Sequence, residues 1–372
     1  MPEIPDKINT WQMVQGPTVD KETRKVVSPG KLEKTQIPMP QLAPDQALVK
    51  VAGCGVCHTD LGYFFDGVPT VNKPPLTLGH EISGTVVAGP DSLVGKNVIV
   101  PAVMPCNKPD CPICAMGRGN RCLDQKMPGS SLEHYGGFSD YIPVPAHDLC
   151  VIEDLKGLPL SHYAVVADAV TTPYQAAMRA DIKKGDRVMI FGAVGGVGGY
   201  VTQTVKALGA DVVIGLDIND AKLQDALKYG ADYVINVKDK DFKAVRDEFR
   251  QICEKAGVPN NFGWKIFEVT GVGAAQDMAL GFLSFVGKLI IVGFGLARNQ
   301  YSISRLMAFD AEITGTWGCL PKYYPKVLEL VQSGKVQIEP FLETKPMSQI
   351  AQVFDDQHHG KFNKRQVLEP DF

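Results

Sequence analysis

At 372 residues the chain exceeds one ordinary domain and has the length for two, each able to bury its own core. With 45% apolar and 21% charged residues it falls in the globular class, which excludes a disordered chain. A formal net charge of -3 supplies no broad field for polyanions, so no nucleic acid is expected among its partners.

The opening MPEIPDKINTWQMVQ lacks the apolar core of a secretory signal, and no apolar run approaches roughly 18 residues, so a cytoplasmic protein without a membrane partner is expected. In that reducing compartment the nine cysteines point to metal or thiol chemistry rather than disulfides. From about Lys31 to Phe138, short β-type runs such as ALVKVAGCGV and GTVVAG alternate with Gly and Pro turns, predicting a mainly β region. Inside it lie GCGVCHTD, residues 53 to 60, and Gly79-His80-Glu81. Taken literally, Cys54-Gly-Val-Cys57-His58 has the spacing of haem attachment or of a redox pair. Neither suits the neighbourhood: haem attachment follows export, and no thioredoxin-like βαβ unit surrounds the pair. A catalytic zinc takes three protein ligands and keeps one position open, so Cys57 and His80 call for a third partner. Cys106, Cys111, Cys114 and Cys122 follow as C-x4-C-x2-C-x7-C on a loop broken by Pro and Gly. Four thiolates that close in sequence can complete a tetrahedral shell, which makes a structural zinc site.

After Thr172 the texture changes to apolar strands alternating with helical stretches: RVMIFG, VTQTVKALG, DVVIGLD, AKLQDALKYG and ADYVINV. The alternation continues through KIFEVTG, MALGFLSF, KLIIVGFG and AEITGTW, predicting six strands of a doubly wound α/β sheet. RVMIFG runs into Gly192-Ala-Val-Gly195-Gly196-Val197-Gly198, where glycines permit a sharp turn and close approach to a pyrophosphate. Asp217 ends the next strand 19 residues after Gly198, where a carboxylate accepts from ribose hydroxyls and repels a 2′-phosphate, so NAD is expected over NADP. Lys222 is a further candidate at the same ribose, and Gly293-Phe294 closes a later strand as another candidate cofactor contact. The tail holds a helix, YPKVLELVQSG, and is expected to return to the first domain. The expected division is 1–168 for a catalytic zinc domain with its structural zinc loop, 169–316 for a cofactor domain and 317–372 for the return.

GCGVCHTD, LGHEISGTVVAG, the four-cysteine loop, the GGVG turn and FEVTG stand in one order along nearly the whole chain. In this the sequence resembles the medium-chain zinc-containing alcohol dehydrogenases. The resemblance implies a mainly-β GroES-like catalytic domain beside a Rossmann cofactor domain, with NAD and two zinc ions per chain. It places the third catalytic zinc ligand six residues before an aromatic, and counting back from Tyr174 lands on Asp168. The family's commoner residue there is Cys; a carboxylate leaves the formal ligand charge unchanged and brings a harder donor. By the same resemblance Asp60 orients His80, Glu81 sits beside the metal, and Thr59 takes the first proton from the alcohol. His58 falls where the family often has a cation near the pyrophosphate, and Thr172 where it contacts nicotinamide. The relay histidine expected five positions after Cys57 is Gly62 instead.

The implied partner is a small-molecule alcohol or ketone, the implied assembly a homo-oligomer, dimer or tetramer. Within the family the resemblance extends to members whose substrate is a ring alcohol carried as a CoA thioester. Their product is a conjugated ketone to which water could add, with Glu81 the nearest candidate base. No stretch marks a CoA pocket, and Lys73, Arg118 and Arg121 read as solvated surface charge. A zinc-loop nucleic-acid binder would leave Cys57, His80 and Asp168 unexplained; a silent NAD-sensing relative would have no use for an open zinc site.

Overall fold

The structure is a computed structural model that describes residues 4–23 and 25–372. It divides into two compact units. The first runs to Thr171 and adds Gly318–Gln332 and Ile338–Phe372; the second is Thr172–Trp317 with Ser333–Gln337. The tail is thus shared, with one short stretch at 333–337 assigned to the second unit.

The first unit is built on strands from Lys7 onward, earlier than the turn-rich texture suggested. A three-stranded sheet orders Lys31–Pro38, Lys7–Gln15 and Leu76–Thr77. A seven-stranded sheet runs Cys150–Ile152, Asn97–Val100, Glu81–Ala88, Gln46–Gly55, Arg365–Glu369 and Leu342–Pro346, with Tyr141–Pro145 also pairing Gln46–Gly55. Gln46–Gly55 is the pivot: it is buried at seven of its ten positions, because partners pair it on both edges and apolar side chains cover both faces. Its C-terminal end, bonded to the start of Glu81–Ala88 and to Arg365–Glu369, fixes where the residues just beyond it lie. The two tail strands pair with each other in parallel register, Leu342 opposite Arg365, and Arg365–Glu369 joins Gln46–Gly55 antiparallel, pairings that no local pattern announced.

The second unit holds a six-stranded parallel sheet in the order Tyr233–Asn236, Val212–Asp217, Arg187–Phe191, Trp264–Glu268, Lys288–Ile291, Glu312–Gly315. In chain order this is 3-2-1-4-5-6, the doubly wound arrangement, with the order reversing between Arg187–Phe191 and Trp264–Glu268. Alternation with period two divides the strands between two cores. Met189 and Phe191 pack with Trp264 and Phe249 on one face, Val188 and Ile190 with Val201 and Val205 on the other. Burying each such side chain contributes about 1.5–3 kcal/mol. Phe242–Ala256 is a helix that the sequence reading passed over. Asp241 caps it by accepting from the Ala244 N–H at 2.7 Å, Val245, Phe249 and Cys253 line its buried face, and Gly257 at φ 68° ends it.

Candidate active site and cofactor site

The strand Gln46–Gly55 delivers Cys57 to the N-cap of helix His58–Phe65. Asp60, three residues on and fully buried, reaches back so that its Oδ2 accepts from the Cys57 N–H at 3.0 Å. Its Oδ1 accepts from the Gly79 N–H at 3.0 Å and lies 3.3 Å from His80 Nδ1. One carboxylate therefore ties together the segments that carry Cys57 and His80. With Nδ1 donating to Asp60, the lone pair of Nε2 points the other way, and Asp168 Oδ2 lies there at 3.6 Å. The same Asp168 oxygen is 3.9 Å from Cys57 Sγ. Asp168 follows the 3-10 segment Leu160–Ala167, and the Thr171 hydroxyl, donating to Ala167 O at 3.1 Å and Asp168 O at 3.4 Å, shapes the turn that presents it.

Glu81 completes the group. Ligand atoms of Cys57, His80, Glu81 and Asp168 all lie within 4.8 Å of one another. Both Glu81 carboxylate oxygens are buried without a hydrogen-bond partner, and the nearest cation is Arg365, its Nη2 3.6 Å from Oε1. Burial pushes the Glu81 carboxyl up to about 7 against the pull of Arg365. Burial alone would depress His80, but Asp60, Asp168 and Cys57 together lift it well above the ordinary imidazole range. Orphaned carboxylate oxygens, a thiolate donor and an imidazole aimed at one point are the environment a divalent cation satisfies, and the mixed S, N and O donors suit zinc. Cys57, His80 and Asp168 would hold it, with Glu81 beside them.

Thr59 and His58 occupy the first turn of the same helix. Thr59 Oγ1 is 3.8 Å from Cys57 Sγ, while His58 keeps an exposed edge. Desolvation, then the Arg365 charge, holds the His58 imidazole below its ordinary value, so it is a weaker cation than the sequence comparison implied. The permanent cation at this site is Arg365, which sequence reasoning missed. It is buried, donates to Val56 O at 2.9 Å across 309 positions of sequence, and faces Glu81. Only the pairing of the tail strand with Gln46–Gly55 brings it here.

The second metal group is the four-cysteine loop. Cys106 Sγ lies 3.4 Å from Cys122 and 3.9 Å from Cys114, and Cys111 lies 3.8 Å from Cys122. Tetrahedral zinc with Zn–S bonds of about 2.3 Å separates its sulfurs by about 3.8 Å, whereas a disulfide would bring two of them to about 2.0 Å. The sulfurs are spaced for the metal.

In the second unit, Gly192 turns the chain at φ 85°, and a Cβ there would meet Thr270 Cγ2 at 2.5 Å. Gly198 opens helix Gly198–Ala207 so close to the turn that a Cβ would sit 1.9 Å from Gly192 O. No side chain caps that helix; the Gly195 N–H already donates to Gly192 O at 3.2 Å, so an anion would be met by the N–H groups that follow, around Gly196 and Val197. Asp217 Oδ1 accepts from the N–H groups of Ile218 (2.8 Å) and Asn219 (3.2 Å), while Oδ2 has only the Val194 N–H at 3.4 Å and stays available to a ribose. The capping of the next helix falls to Asn219, which accepts from the Lys222 N–H at 3.1 Å, so Asp217 is not spent on it. Gly293 donates to Glu268 O at 3.0 Å, Phe294 beside it is 71% exposed, and Thr172 stands in the first turn of helix Thr171–Ala180.

Comparison with known proteins identifies the family. The family profile described as "Alcohol dehydrogenase GroES-like domain" matches residues 43–154, and that described as "Zinc-binding dehydrogenase" matches residues 196–333. An alcohol dehydrogenase of Geobacillus stearothermophilus is 32% identical over 91% of this chain and 95% of its own length. An NAD-dependent alcohol dehydrogenase of Sulfolobus acidocaldarius is 31% identical over 92% and 97%. Among solved structures, acetophenone reductase from Geotrichum candidum in complex with NAD superposes with a TM-score of 0.79 at 25% identity, covering 99% of this chain and 98% of that one.

Proposed function

The chain belongs to the medium-chain zinc-containing alcohol dehydrogenases, NAD-dependent zinc enzymes, and on that premise we propose that its substrate is a secondary ring alcohol carried as a CoA thioester. The specific reaction proposed is oxidation of 6-hydroxycyclohex-1-ene-1-carbonyl-CoA to the 6-oxo enone, within anaerobic aromatic degradation in the cytoplasm. The observation that carries the dehydrogenase chemistry is the cluster of Cys57, His80, Glu81 and Asp168 around one point. The ring alcohol and its thioester rest on the resemblance of the sequence along its length.

Zinc supplies a Lewis acid that makes an alcohol hydroxyl acidic near neutral pH, and NAD supplies the acceptor for the hydride. The chain's own residues do the rest. Asp60 holds His80 in one tautomer and orientation. Thr59, beside Cys57, takes the hydroxyl proton, and His58, open to solvent and easily neutral, passes it outward in place of a relay at Gly62. Arg365 offsets the negative charge of Cys57 and Glu81. The glycine turn at Gly192 to Gly198 and Asp217 seat the two ends of the adenosine diphosphate moiety.

An aryl or alicyclic alcohol without CoA is the alternative, and the relatives' descriptions as plain alcohol dehydrogenases favour it. A second activity follows from Glu81, an unbonded buried carboxyl in the cluster: water adds to the enone, its OH to the β-carbon and a proton to the α-carbon, with no redox change. One assay separates these readings. Enzyme with NAD is given the thioester, the free ring acid and cyclohexanol, and products are weighed by mass spectrometry. We expect kcat/KM at least about 100-fold higher for the thioester, since remote binding energy is used at the reacting carbon. Equal values reject the CoA ester, and absence of a product heavier by one water rejects the hydration.

We also propose a homo-oligomer. Glu312–Gly315 is an edge strand, and Val286, Met307 and Ile313 on and next to it are exposed, a face that a second copy would cover. A solution mass equal to one chain removes this proposal.

A further inference from the structure

Among the described residues, the acidic side chains buried outright are Asp60, Glu81 and Glu268. The first two belong to the metal cluster. Glu268 lies in the second unit, at the C-terminal end of Trp264–Glu268. A buried carboxylate is expensive unless donors surround it. Here the donors come from Thr270 and Gly271, two and three residues further on. Oε1 accepts from the N–H of Thr270 at 2.8 Å, from the Thr270 hydroxyl and from the N–H of Gly271 at 3.2 Å, while Oε2 shares the last at 3.3 Å. The Glu268 carbonyl meanwhile accepts from the N–H groups of Val292 (2.9 Å) and Gly293 (3.0 Å).

What this side chain holds is the junction of three turns. Thr270 presses its methyl against Gly192, the first glycine of the cofactor turn. Gly271, at φ 71°, lies so close to the third turn that a Cβ on it would stand 2.0 Å from Phe294 O, and one on Gly293 would stand 2.1 Å from Gly271 N. In a doubly wound sheet the dinucleotide crosses at the reversal of strand order, each half of the sheet taking one nucleotide. Asp217 is on the adenosine half. Trp264–Glu268 is the first strand of the other half, so its end and the 293–295 turn face the nicotinamide nucleotide.

We infer that Glu268 is a positioning residue that fixes the nicotinamide side of the cofactor site by pinning the 270–271 turn between Gly192 and Phe294. The inference rests on the NAD reading of the glycine turn. Its test is the affinity of the full chain for two ligands, NADH and ADP-ribose, the latter keeping the adenosine half and the pyrophosphate but lacking nicotinamide. In Glu268→Ala the NADH Kd is expected to rise at least about tenfold while that of ADP-ribose stays within about twofold. Glu268→Gln, which keeps an acceptor oxygen, is expected within about threefold of wild type for both. Equal losses for the two ligands, or no loss for NADH, overturn the inference. Should the alanine variant fail to fold, Thr270→Val removes a single donor and is held to the same selective loss, about threefold, on NADH alone. Wild-type protein that binds neither ligand would instead refute the NAD reading itself.

Discussion

Replacing His80 with alanine is expected to lower kcat/KM for alcohol oxidation by at least about a thousandfold, in a protein that keeps its fold and one of its two zinc ions. The imidazole is 1% exposed, and its Nε2 aims at Asp168 Oδ2, 3.6 Å away. Removing it leaves a thiolate and two carboxylates crowded together without the neutral donor, and a metal-assisted reaction loses several kcal/mol of stabilisation. The fold survives because Asp60 still accepts from the N–H groups of Cys57 and Gly79. Metal analysis beside steady-state kinetics reads both halves of the expectation. A variant that retains a tenth of its activity, or fully active wild type with a single zinc, contradicts it.

The second large effect is on stability. Cys111→Ser is expected to release zinc from the loop and lower Tm by about 10 °C or abolish soluble yield. Zinc sites of this kind contribute roughly 10–16 kcal/mol to folding in isolated peptides. The base of the loop is anchored by buried Cys122 and a Met104–Lys126 bridge, but its α-helical turn, Pro112–Ala115, has four residues and none of them is buried. Thermal scans with and without chelator make the comparison. A Tm within about 2 °C of wild type would show that the loop stands without metal.

The parts of this architecture that show in the sequence are those encoded locally. The doubly wound sheet is legible because each βα step repeats within some 25 residues and because Val188, Met189, Ile190 and Phe191 are apolar on both faces. The four sulfurs of the loop are legible for the same reason, all within 17 positions. Helix Phe242–Ala256 escaped although its cap and its i, i+4, i+8 face are local; its charged residues, seven of the 15, drowned the stripe. Distance hides the rest. Asp168 is 111 positions from Cys57, and only a count from Tyr174, guided by resemblance, reached it. Arg365 lies 309 positions from Val56, on a strand whose pairing depends on the whole sheet. Glu268 was visible only as part of FEVTG, because its burial and its donors are properties of a folded turn.

With Asp168 at the third position, the catalytic cluster contains one sulfur, that of Cys57, and Cys57 is only 8% exposed. The loop at 106–122 contains four, three of them partly open to solvent. Peroxide attacks accessible thiolates, stepping them to sulfenate and beyond, and carboxylates are inert to it. A diffusing peroxide therefore meets the sulfurs of the surface loop before it meets Cys57, and a carboxylate rather than a second thiolate as third ligand would leave the catalytic cluster one oxidisable atom fewer.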